Sequence, residues 1–190
     1  MALADYIPAE NRSPGLTASE LERAQEAAGA AFPPDLAEFL MDCLPVGSTF
    51  AAGPPLFPDW RNNAAAAMSD WRDDVLYGFI FDVEENGDWP ETWGAKPDDP
   101  RDARSRVAEI LDDAPRLIPI YAHRGIPNEP LEAGNPVFSV HQTDIVIYGH
   151  ELEQYLRNEF FDERVREGPL REIRFWTAPA LGEWLNDESG

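Results

Sequence analysis

Cysteine is almost missing from this chain: Cys43 stands alone among 190 residues. An intrachain disulfide is therefore excluded, and the usage suits a reducing compartment. Lysine is as scarce, with Lys96 the only one among 15 basic residues, a bias that fits a GC-rich coding genome. Positive charge is short overall, since 36 acidic residues leave a formal charge of −21. Such a surface repels nucleic-acid phosphates and anionic membranes at long range, so neither is expected as a partner. A basic protein suits the charge better, although an acidic surplus also serves solubility alone. No apolar run is long enough to span a bilayer, and the opening MALADYIPAENRSP lacks the basic region and continuous apolar segment of a secretory signal. A soluble, cytoplasmic protein is expected.

What is present is enough apolar material, 43% of the residues, to bury a substantial core. Thr17-Ala-Ser-Glu20 has capping-box spacing and predicts a helix to about Ala28, ended by Gly29. Pro33-Pro34-Asp35 opens a second helix, with Leu36, Phe39, Leu40 and Cys43 on one buried face, stopped by Pro45-Val-Gly47. Residues 51–58 read as a Gly- and Pro-rich loop, and the alanine run before Met68 and Trp71 as helix. Phe79, Ile80, Phe81 and Val83 predict a strand, closed by the Asn86-Gly87 turn. A helix follows from about Asp102 to Asp113, then a β-prone run at Leu117 to Tyr121. Val137 to Val140 and Ile145 to Tyr148 form the arms of a hairpin closed by His141 to Asp144. The last elements are a helix from about Glu151 to Phe161, an extended segment at Ile173 to Trp176 and a short helix at Leu181 to Leu185. No repeat or interdomain linker interrupts the chain. The pattern predicts one α+β domain over residues 1–190, mainly an antiparallel sheet packed by several helices, with residues 1–15 loose. Phe39, Leu40, Ile120, Val137, Ile145 and Leu156 are expected to be buried together.

The chemistry is less explicit. Asp82-Val-Glu84-Glu-Asn86-Gly87-Asp88 resembles the first half of a calcium loop, but Trp93 stands where the closing glutamate belongs and Pro90 interrupts it. His123, His141 and His150 include no helical zinc pair, so no metal or other cofactor is expected. Ser139 and His141 can share a sheet face, yet no nucleophile elbow surrounds the serine. There is no phosphate-binding loop and no dinucleotide fingerprint. Cys43 reads as a core residue, without a nearby positive charge or base to make a thiolate. Of the six tryptophans, Trp89 and Trp93 fall in an irregular acidic loop. Their rings either meet a partner or form a lid over the sheet. The polar residues at strand ends and turns suggest a partner-binding rim of Asp82, Glu84, Trp93, His123, Arg124, His141 and Asp144.

Two regions together resemble a known family. The first is Leu16-Thr-Ala-Ser-Glu20-Leu-Glu-Arg-Ala-Gln-Glu26 through Gly29, Phe32-Pro33-Pro34-Asp35-Leu36 and Phe39-Leu40. The second is Ile118-Pro119-Ile120-Tyr121-Ala-His123-Arg124, then Gly134-Asn135-Pro136-Val137-Phe138-Ser139-Val140-His141, Asp144 and Tyr148-Gly149, before the Leu152 to Phe160 helix. In order and character they are similar to the SUKH superfamily, in particular the cell-wall-assembly-regulator branch and its bacterial immunity proteins. The match covers a little under half the chain, and the insertion near Pro54 and the Trp89 to Trp93 loop depart from it. The resemblance implies an α+β domain that binds proteins, an immunity protein against a toxin being one form, and the acidic charge makes a basic toxin domain the expected partner. It supplies no catalytic residues. The residues themselves leave two other readings open: a small hydrolytic or metal-dependent enzyme built on His123, His141 and Asp144, and a regulatory or scaffold protein.

Overall fold

A computed structural model describes residues 2–48, 54–163 and 167–182. Two β-strands, β1 (Arg12–Pro14) and β2 (Cys43–Pro45), bracket helices α1 (Ala18–Ala28) and α2 (Pro34–Asp42). The long α3 (Ala64–Phe81) and α4 (Pro100–Asp113) precede four strands: β3 (Leu117–Tyr121), β4 (Arg124–Pro127), β5 (Val137–His141) and β6 (Asp144–Gly149). Helices α5 (Leu152–Phe161) and α6 (Thr177–Ala180) follow. The arrangement is α+β. Strands β3 to β6 form an antiparallel sheet in chain order, while β1 and β2 make a separate antiparallel pair.

Local chemistry accounts for the helix ends. Thr17 Oγ1 accepts from the Glu20 N–H at 3.3 Å, and Glu20 Oε2 accepts from the Thr17 N–H at 2.8 Å. Both members of the box thus satisfy donors that the first helical turn leaves free. Helix α2 starts on Pro34 and ends one residue earlier than its apolar spacing suggests, because Cys43 leaves the helix to begin β2, where it pairs with Pro14 of β1. Cys43 remains buried.

Both faces of the four-stranded sheet are covered, so alternating residues enter two cores. Ile118, Ile120, Ile126 and Val137 face α1, α2 and α5, where Phe39, Leu40 and Leu156 pack. Leu117, Phe138, Val140, Ile145 and Ile147 face the opposite way, toward Val75, Phe79, Val107 and Trp176. The six core positions named from sequence are all buried, but Ile145 belongs to the second core rather than the first.

Four expectations are corrected. Phe79 to Phe81 is the end of α3, and Asp82–Asn86 adds a π-helical turn before Gly87. No proline lies between Ala64 and Asn86, so the run stays helical through Gly78, with Val75, Phe79 and Val83 buried at four-residue spacing. Residues 2–15 are not loose: Tyr6 and Ile7 are buried, and the Tyr6 hydroxyl donates to Glu153 Oε1 at 2.8 Å. No element is expected from the sequence between Tyr121 and Val137, yet residues 124–127 are strand β4. Ile173 to Trp176 is a turn leading into α6, not an extended segment. Residues 183–185 of the expected last helix, Trp184 among them, and residues 51–53 of the expected loop lie outside the described residues.

Candidate functional site

The turn joining β3 to β4 carries His123 and the end of β5, before the turn to β6, carries His141; both turns sit against α3. Gly78 permits the approach: a Cβ there would lie 3.0 Å from Gln142 Cα, tighter than helix and turn tolerate without movement. Two helical turns earlier, Trp71 donates its indole N–H to the Ala122 carbonyl at 3.2 Å. Gly125 leaves room for that ring, since a Cβ would meet two indole carbons at 3.2 Å. Between helix and turns is a cleft of about 480 Å³, whose lining includes Trp71, Asp74, Tyr77, His123, His141 and Gln142.

Each turn begins with a residue in the left-handed region, Ala122 at φ 47° and Gln142 at φ 58°. This conformation costs about 1–2 kcal/mol for a residue with a Cβ, so other bonds must hold it. The Ala122 N–H donates to the Leu56 carbonyl at 2.8 Å. Next to Gln142, Thr143 donates its N–H and its hydroxyl to Asp82 Oδ2 at 2.9 and 2.7 Å. Asn86 Nδ2 donates to the other carboxylate oxygen of Asp82 at 2.7 Å.

His123 and His141 face each other with ring centroids 5.9 Å apart. The Arg124 guanidinium bonds to His123 Nε2. A guanidinium can only donate, so Nε2 is the unprotonated acceptor and the ring is neutral. Partial desolvation, the Arg124 charge and the neighbouring His141 push the His123 pKa down to about 4. Arg124 itself is buried, donating to Glu159 Oε2 at 3.0 Å and to Ser139 Oγ at 3.2 Å. Its guanidinium also lies 4.1 Å from the centre of the Tyr148 ring. Burial raises the Glu159 pKa despite the attraction of Arg124.

The seven residues expected on one exposed rim divide accordingly. His123 and His141 are exposed and share the cleft. Asp144 is exposed and pairs with His141 across the hairpin, but does not line the cleft. Glu84 is exposed and held by two bonds from Arg104, which lower its pKa. Asp82, Trp93 and Arg124 are buried, contrary to the exposed positions expected. Asp82 faces inward because α3 continues to its edge and aims the carboxylate at Thr143. Trp93 stacks on Phe79 with centroids 6.0 Å apart, and Trp89 meets Trp93 edge-on at 5.3 Å. Of the two roles open to this loop, Trp93 thus takes the lid.

Sequence reasoning missed the α3 contribution. Asp70, Asp73, Asp74, Tyr77 and Phe81 occupy one exposed side of the helix. Reading residues 79–83 as a strand concealed this stripe, although the i, i+3, i+4, i+7, i+11 spacing is visible once the helix is extended. Tyr77 is 71% exposed.

Among the described residues, no three His, Cys, Asp or Glu side chains form a group able to hold a metal ion. Nor is any described helix long and apolar enough to cross a membrane. Ser139 Oγ accepts from Arg124, which cannot take a proton. No family model, curated protein or solved structure matches the chain.

Proposed function

We propose that this chain is a non-enzymatic protein-binding domain whose partner face is the outer side of α3 with the adjoining His123 and His141 cleft. The carrying observation is Tyr77, 71% exposed on a buried-cored helix and at the rim of that cleft. Phe81 lies one turn further along and is also exposed. Large aromatic side chains anchor interfaces through rigid contact area and a polar tip. Asp70, Asp73, Asp74 and Glu85 surround this anchor on exposed positions, which suits a basic partner and speeds its encounter.

The SUKH resemblance supplies the partner class, a toxin domain with this chain as the immunity protein, and the acidic charge makes that domain basic. What supports that reading is the paired opening helices, the Ile118 to Gly149 strands and the following helix, together with a charge of −21. A role as a regulatory or scaffold protein would use the same face. An enzyme based on His123, His141 and Asp144 draws less support, since the Arg124 guanidinium occupies His123 Nε2 and Asp144 stands outside the cleft.

The test is direct binding of the purified chain to the product of the adjacent reading frame, followed by isothermal titration. Tyr77→Ala should weaken the complex by about 2 kcal/mol or more, as expected for a central aromatic anchor. A complex unaffected by both Tyr77→Ala and Phe81→Ala would contradict the assigned face.

A further inference from the structure

A second cavity, of about 390 Å³, opens on the other side of Trp71, between α3, the end of α4 and β3. Its walls are chiefly apolar, formed by Val75, Leu76, Leu111, Leu117 and the rings of Trp71 and Trp176. Both indole N–H groups are engaged elsewhere: Trp71 donates to Ala122 O at 3.2 Å and Trp176 to Pro115 O at 2.7 Å. The indoles therefore present ring surface rather than donors to the cavity. At its mouth, Arg72 pairs with Asp112, while Arg116 is exposed and donates through Nη1 to Gly29 O at 2.8 Å. Two guanidinium groups against one carboxylate make this lining positive, in a chain whose formal charge is −21.

We infer that this cavity binds a small monocarboxylate with a planar apolar body, the ring between the indoles and the carboxylate on Arg116. The volume lies within the roughly 300–1,000 Å³ range of small-molecule sites. Apolar walls with one charged group at the mouth match a ligand that is apolar at one end and anionic at the other. Charge limits the class further: the surrounding negative surface opposes phosphates and nucleotides more strongly than a single carboxylate. The site shares Trp71 and Val75 with the histidine cleft but neither Tyr77 nor a histidine, and its titration needs no protein partner, so its failure is distinguishable from failure of the proposed partner face.

The probe is 3-phenylpropionate, titrated into the full chain while the Trp71 and Trp176 indole N–H resonances are followed by NMR. Both signals should shift saturably. The uncharged 3-phenylpropanol should bind about tenfold to a hundredfold more weakly, the range expected for losing a charge-assisted hydrogen bond. Arg116→Gln, which keeps a donor for Gly29 O, should weaken the acid by a similar factor and leave the alcohol unchanged. Leu111→Trp, filling the cavity, should remove binding of both, with the circular dichroism of the variant establishing that it is folded. Equal affinity for acid and alcohol, or an Arg116→Gln protein that binds the acid as the native chain does, would overturn the assignment of the carboxylate to Arg116. Octanoate binding as tightly as 3-phenylpropionate would overturn the planar-body preference. Absence of any saturable shift at millimolar acid would overturn the site.

Discussion

Replacing Asp82 with alanine removes the acceptor that pins the β5–β6 turn to the end of α3. Three donors are involved: the Thr143 N–H and hydroxyl on one oxygen, and Asn86 Nδ2 on the other. A hydrogen bond to a charged group contributes about 1.5–3 kcal/mol. The three bonds share one carboxylate and are not additive, the Thr143 hydroxyl also reaches Asp88 Oδ2 at 3.2 Å, and Thr143 is only half-buried, so Asp88 and water recover part of the loss. A net cost of about 2–4 kcal/mol follows, a sizeable share of the roughly 5–15 kcal/mol that holds a domain folded. With a urea slope near 2–3 kcal/mol/M for a chain of this size, the unfolding midpoint should fall by about 1 M. Asp82→Asn keeps one carbonyl oxygen for Thr143 and should fall between native and alanine. Glu84→Ala, two residues away but exposed and solvent-screened, should leave the midpoint near the native value. Equal midpoints for Asp82→Ala and Glu84→Ala in urea titrations followed by circular dichroism would refute the inward role of Asp82.

Arg124→Ala should cost about 2–4 kcal/mol by the same denaturation assay, because it removes a buried guanidinium, strands the partly buried Glu159 carboxylate and removes the contact over Tyr148. The His123 ring should remain neutral at pH 6 and titrate near 4 in an NMR pH series, with Arg124→Gln moving that midpoint upward. Since the unfolded imidazole takes its proton near 6.5, the unfolded chain binds more protons between about 6.5 and 4. The His123 contribution to stability is therefore present above 6.5 and is lost as pH falls to about 4; an unchanged titration in Arg124→Gln would refute the part assigned to Arg124. Gln142→Gly should raise stability by up to about 1 kcal/mol, because glycine adopts the left-handed turn without the Cβ penalty, offset in part by its freer unfolded state; a lower urea midpoint would contradict this.

Signals confined to a few neighbouring residues were legible in the sequence. The Thr17 to Glu20 capping box and the β5–β6 hairpin are of this kind, because donor, acceptor and turn lie within a few positions of one another. Phe79 to Val83 was not, since a short apolar run of aromatic and β-branched residues satisfies a strand and a buried helix end equally well. Strand β4 was hidden by Gly125 and Pro127, which read locally as loop, although Gly125 is there to admit the Trp71 ring. The burial of Tyr6 had no local signal at all, as its hydroxyl meets Glu153 far along the chain. For the site, strand-end positions put His123 and His141 among seven rim residues, but that these two face each other depends on turn geometry with no local signal. The inward turn of Asp82 and the outward Tyr77 both depended on where α3 stops, so one misread boundary displaced both.

The proposed partner face is tested most directly by the association rate of the native chain and its Asp73→Lys/Asp74→Lys variant with the adjacent-frame product, measured by surface plasmon resonance across a salt series. These aspartates are exposed on α3, so the double reversal should leave the fold intact. At low salt it should slow association by about tenfold or more, and the difference between the two proteins should shrink as salt rises and screens the field. An association rate that is the same for both proteins at every salt concentration would contradict the acidic, aromatic face of α3 as the place where the partner docks.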